Sequence, residues 1–189
     1  MQFSTLKFAI AALAICSNTV LGQTTPSQVV SNINMITQKS QALQAPAQSI
    51  TAVNGPLIIV GQGPFPEIIR GFVDIVSTAT TSLSQMQGMA PVPAGPDADA
   101  IADAFRGFVR VHQELLNILI GKAGLFKTIP FVGQPIAAVL RQIESVVDTL
   151  AFTLIDTVQS QASQIQFSGE SLSRTVGTAI NSYEGIDLN

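Results

Sequence analysis

The chain has 189 residues, 47% of them hydrophobic and 11% charged, with nine Lys and Arg, twelve Asp and Glu and a formal net charge of −3. A single Cys and a single His exclude a His/Cys zinc site and an internal disulfide framework, and the acidic balance leaves no basic stripe for nucleic acid. The charge fraction is under half of the roughly 25% usual in soluble domains, so Ser, Thr, Gln and Asn must hydrate a surface that surrounds one domain with a sizeable core.

Residues 1–22 read as a secretory leader. Lys7 supplies the positive flank, and the run from Phe8 to Cys16 is too short for the ~20 residues of a bilayer span. Val20-Leu21-Gly22 places small or modest side chains before a cleavage point after Gly22. The domain then covers 23–189, without the Cys, and must be held by packing alone. That favours long helices over a small loop-rich scaffold.

Val29, Ile33, Ile36, Ser40, Leu43, Ala47 and Ile50 alternate at spacings of four and three, the stripe of an amphipathic helix that opens at Pro26-Ser27 and kinks at Pro46. Leu57-Ile58-Ile59-Val60 lies between two Gly/Pro turns; with no second β-rich run to pair with, it is expected as helix or loop. A second helix runs from about Pro66 to Gln87 with Ile68, Ile69, Phe72, Ile75, Val76, Ala79, Leu83 and Met86 on one side, and the Gly/Pro-rich stretch 88–96 ends it. A third spans about Asp97 to Ile120, opened by Pro96 and by Asp97, Asp99 and Asp103 at its positive end. Its stripe is Ile101, Phe105, Phe108, Val109, His112, Leu115, Leu116 and Leu119, and Gly121 to Gly124 offers a C-cap.

After a connector carrying Phe126 and Phe131, the fourth and longest helix runs from about Gln134 to Ile165, and a fifth from Ser168 to Tyr183 with Leu172, Val176, Ala179, Ile180 and Tyr183 inward. Together these elements predict an all-α antiparallel bundle of about five amphipathic helices around one core. No later run of about 18 apolar residues and no hydrophobic carboxyl tail appears, which argues against a transmembrane segment and a lipid anchor. Asn54, Asn117 and Asn181 lack a Ser or Thr two residues on. The expected product is secreted and extracellular, at most loosely wall-associated.

Enzyme templates fail at specific positions. Gly169-Glu170-Ser171-Leu172-Ser173 lacks the closing Gly of a nucleophile elbow, the upstream Gly of a P-loop is replaced by Leu116, and Gly61-Gln62-Gly63 has neither a third Gly nor a preceding strand. His112 is the only imidazole base; set among Phe108, Leu115 and Leu116 it reads as a core-edge residue, and Glu114, two positions on, faces elsewhere on the helix. The chain is therefore expected to be no enzyme and to hold no cofactor or metal. What remains is apolar excess: Val73, Val111, Ile118, Ile120, Val132, Phe152 and Ile155 lie off the main stripes, so several helices are apolar over a wide arc. Such a bundle either encloses room for a lipid or presents an apolar patch.

The leader, the Val29 to Ile50 helix, the block from Phe108 to Lys122 and the Val139 to Val158 helix resemble the fungal hydrophobic surface-binding protein A family, related to cell-wall galactomannoproteins. The resemblance covers essentially the whole mature chain. It implies a small helical protein that adsorbs to hydrophobic surfaces, recruits a secreted hydrolase such as a cutinase or esterase, or holds a fatty acid inside its bundle. The Ser/Thr-rich stalk of wall-attached members is missing. From the stripes themselves, Phe72, Phe105, Phe108, Leu115, Leu116, Ile143 and Leu150 are expected to line the apolar interior. Arg110, with Arg70, Arg106 and Arg141, is a candidate partner for an anionic headgroup.

Overall fold

The computed structural model describes residues 24–126 and 133–184. The expected leader and its cleavage point, Phe131 and Val132 lie outside these residues. Six α-helices follow in order: α1 (Pro26–Ala42), α2 (Gln44–Gln48), α3 (Pro64–Met86), α4 (Pro96–Ala123), α5 (Gly133–Thr157) and α6 (Ala162–Glu184). Short 3-10 turns occupy Gly55–Val60, Gly124–Phe126 and Gln159–Gln161. No strand occurs among the described residues.

Local chemistry explains most boundaries. Thr25 caps α1, its Oγ1 accepting from the Gln28 amide, and Pro26 follows at a position that needs no amide hydrogen. The expected kink at Pro46 becomes a break: α1 stops at Ala42, whose carbonyl the ring of Pro46, four residues on, would strike, and α2 restarts beyond Leu43. The 57–60 run is 3-10 helix, within the expectation of helix or loop. The turn after the fourth expected helix is displaced. α5 ends at Thr157, not near Ile165, because Val158 leaves helical geometry (φ −123°, ψ 62°) and the polar triplet Gln159-Ser160-Gln161 makes the turn. Ile165 and Phe167 therefore belong to α6.

Each of the five long helices packs against two others, in the cyclic order α1, α4, α6, α5, α3 and back to α1. Side-chain bonds fix the directions. Asn32 meets Gln85 and Lys39 meets Asp74, so α1 and α3 are antiparallel. Ser40 meets His112 and Lys122 donates to the Ile50 carbonyl, so α1 and α4 run the same way. Gln161 with Asp99 and Gln113 with Ser171 make α4 and α6 parallel, and Ser173 with Asp148 and Glu184 with Arg141 make α5 and α6 antiparallel. Successive long helices thus alternate in direction along the chain. An odd ring cannot be antiparallel on every side.

The ring geometry positions the core. With interaxial distances of about 10 Å, five helices in a regular ring leave their common centre about 8.5 Å from each axis, beyond the ~5–6 Å radius that a helix with its side chains occupies. No helix fills that middle. Large side chains must reach across it.

Candidate functional site

The middle of the ring is filled by aromatic groups. Phe72 of α3 and His112 of α4 sit edge to face with ring centroids 6.0 Å apart, although their helices are not neighbours in the ring. Their contact therefore crosses the interior. Phe108 lies 5.3 Å from His112, and Phe105 6.2 Å from Phe108. Leu115, Leu116, Ile143 and Leu150 are likewise buried in the one continuous core that runs through the bundle.

Contacts among the described residues bridge elements at both ends of the interior. At one, Phe126 packs against Phe65 (4.5 Å, nearly perpendicular) and Tyr183 (6.4 Å), joining α3 to α6. Tyr183 donates its hydroxyl to the Leu119 carbonyl at 2.8 Å, and burial pushes its ionisation well above the ordinary range. At the other end, buried Val92 donates its amide to the Thr157 carbonyl at 2.7 Å, tying the linker after α3 over the end of α5.

His112 is more deeply placed than a core-edge residue: it is 0% exposed. Its Nδ1 lies 2.8 Å from Ser40 Oγ, which also donates to the Ile36 carbonyl one helical turn back at 3.1 Å. A hydroxyl has one proton: given to Ile36, it leaves Ser40 Oγ to accept from Nδ1–H and Nε2 with a bare lone pair; given to Nδ1, it leaves the ring proton on Nε2. Nε2 is buried without a hydrogen-bond partner among the described residues. Burial also drives the imidazole from its usual 6.5 down to about 4, so it is neutral at physiological pH. An unsatisfied buried polar atom costs about 1–3 kcal/mol.

The arginines stand apart from this interior. Arg110 and Arg70 are exposed, Arg106 pairs with Asp103 within α4, and Arg141 pairs with Glu184. The seven apolar residues are thus buried, whereas Arg110 lies on the surface. Ser40 was legible as a polar residue on an apolar stripe, but its partnership with His112 spans 72 positions and has no local signal.

The outer surface carries two further features. Between α5 and α6 runs a groove of about 590 Å³ lined by Ala151, Phe152, Ile155 and Gly169, with Asp148, Glu170 and Arg174 at its rim. Phe152 is 68% and Phe167 71% exposed, unlike Phe65, Phe72, Phe105, Phe108 and Phe126, which are buried. No group of three or more metal-ligating side chains and no helix long and apolar enough to cross a membrane occurs among the described residues.

By sequence, the chain matches no protein-family model and no curated protein. Its architecture does match solved structures. The chain shares its fold with fungal ligand-binding domains. Ligand-binding domain 1 of the Penicillium marneffei MP1 protein, complexed with arachidonic acids, is 18% identical with a TM-score of 0.65, over 83% of this chain and 95% of that one. AFMP4P in complex with palmitic acid is 15% identical with a TM-score of 0.67, over 86% and 99%. Ligand-binding domain 2 of the MP1 protein, with arachidonic acids, is 13% identical with a TM-score of 0.69, over 86% and 94%. These helical proteins, solved with fatty acids, are of the kind that the sequence resembles.

Proposed function

We propose that the chain is a secreted, non-enzymatic protein that takes a long-chain fatty acid or related lipid among the helices of its bundle. The observation that carries this reading is the five-membered ring with no central helix. Its middle is occupied only by side chains, and Phe72, Phe105 and Phe108 supply the apolar bulk that an acyl chain can pack against or replace. Transfer of each methylene from water into such an interior contributes about 0.8 kcal/mol, so a chain of sixteen carbons has ample driving force to offset opening of the core. Occurrence of the same fold in fatty-acid complexes supports the assignment.

Native mass spectrometry of protein gently purified from a secreting host tests it directly. A copurified acyl species, displaced by a fluorescent fatty acid, is the expected result. A clean apo mass together with no uptake of the fluorescent probe would overturn the reading.

Exposed Phe152 and Phe167 support a second, surface-level reading: adsorption to an apolar solid or film, where the protein could also present a secreted hydrolase. Binding to polyester or apolar beads that persists at high salt is its mark, since apolar contact is not screened. A pull-down of a cutinase or esterase from culture fluid separates recruitment from simple adsorption.

A further inference from the structure

A polar atom in the middle of an apolar ring needs a chemical reason. His112 Nδ1 is turned toward α1 and held by Ser40, so Nε2 lies on the opposite side of the imidazole, away from α1, with Phe72 and Phe108 packed about the ring. It has no partner among the described residues. The other buried side-chain nitrogen without one, Gln164 Nε2, belongs to a half-buried residue near the start of α6.

We infer that His112 Nε2 is the anchor of the interior for the O–H head of the bound lipid, a carboxylic acid held in its protonated form. The inference rests on the lipid-binding reading above and adds the residue that fixes the orientation of the chain. The anchor requires the hydroxyl proton of Ser40 to lie on Ile36: Ser40 then accepts from Nδ1–H and leaves Nε2 a pure acceptor, which an O–H satisfies and an ether oxygen cannot. An ionised carboxylate would enter among Ser40, Phe72 and Phe108 without a cation, whereas the neutral acid brings its own donor and no net charge. A lipid alcohol carries the same O–H and is the alternative source of that chemistry.

Displacement of a bound fluorescent fatty acid by palmitic acid, hexadecanol and methyl hexadecyl ether tests the inference on the intact secreted chain. Hexadecanol should displace at roughly three- to ten-fold lower concentration than the ether, the worth of one hydrogen bond. Palmitic acid should share that advantage. In His112→Phe, which keeps an aromatic ring in place, the gap should close. The chain has one His, so imidazole ¹⁵N spectra of the unmodified protein report on Nε2 without any variant, and its resonance should move from a bare to a hydrogen-bonded nitrogen when palmitic acid binds.

Equal displacement by alcohol and ether, a gap that survives His112→Phe, or an Nε2 signal already hydrogen-bonded to water and unchanged on loading would each overturn the anchor while lipid binding stands. Preference for the alcohol with none for the acid would overturn the carboxyl assignment. Failure of all three compounds and of the probe to bind would remove the lipid-binding reading itself.

Discussion

His112 Nδ1 and Ser40 Oγ, 2.8 Å apart, join α1 to α4 through a polar contact buried in an apolar core. The pair is structural and chemical at once. It holds the imidazole in one orientation, and the second nitrogen has no partner among the described residues. The partners can therefore be separated by substitution. Ser40→Ala should destabilise the chain by about 1–3 kcal/mol, because it strands the buried Nδ1. His112→Phe removes the orphaned nitrogen along with the pair and should cost less. In a double-mutant cycle read by urea unfolding, the double variant should be more stable than Ser40→Ala alone. Strictly additive losses would show that the contact contributes nothing.

The same burial makes stability depend on acid. The unfolded chain takes up a proton at His112 near pH 6.5, whereas the folded chain does so only near 4. Stability is therefore unaffected by this group above pH 6.5, falls as the pH drops from 6.5 toward 4, and levels off below. The loss should reach roughly 3 kcal/mol. Urea midpoints of the natural protein and His112→Phe, compared at pH 7.5, 6, 5 and 4, should diverge across that window. Parallel curves would mean that the imidazole does not stay neutral in the fold.

Much of this architecture was legible in the sequence because helical period and Pro/Gly punctuation are local. The α4 stripe from Ile101 to Leu119 is buried as read, and the Gly/Pro-rich stretch after Met86 ends α3. The turn at Val158 was not legible. It has neither Gly nor Pro, and the apolar spacing continues through it to Ile165. The ring order was also hidden, since amphipathic stripes say which faces are inward but not which helices adjoin. Without that order, the crossing contact of Phe72 with His112 could not be derived, and Ser40 read as one more stripe position.

Two helical glycines should respond to alanine with opposite signs. A Cβ on Gly71 would run into Cδ2 of Leu43 and sit 2.8 Å from its Cδ1 and 3.0 Å from its Cγ; Leu43 is a buried residue at the break between α1 and α2. Leu43 has to move or α1 has to lift from α3, so Gly71→Ala should destabilise by about 1–2 kcal/mol, the overpacking cost less the helix-propensity gain. At Gly177 nothing lies within 4 Å of the added carbon. Gly177→Ala should stabilise by up to about 1 kcal/mol. Thermal unfolding of the two variants checks both signs in one experiment.

Tyr183 tests the packing at the Phe126 end of the interior. Its hydroxyl donates to the Leu119 carbonyl, and its ring packs on Phe126. Tyr183→Phe keeps the ring and loses the bond, so denaturant midpoints should register about 0.5–1.5 kcal/mol. A larger loss would mean that the hydroxyl holds α4 and α6 in register.

Phe152 and Phe167 separate the surface reading from the interior one. Both are largely exposed, so replacing them with Gln removes no core packing. The double variant Phe152→Gln/Phe167→Gln should unfold within about 0.5 kcal/mol of the natural protein, as surface substitutions do. It should take up a fluorescent fatty acid unchanged if the acyl chain sits in the ring, yet hold less tightly to apolar beads. Each exposed ring removed from a contact with an apolar solid forfeits about 1.5–3 kcal/mol if it is fully covered there, and so bead retention should fall at least ten-fold at any salt concentration. Adsorption that persists undiminished in this variant would place the adhesive surface elsewhere on the bundle. Fatty-acid uptake lost together with adsorption would move the lipid from the ring to the α5–α6 groove, where Phe152 forms part of the wall.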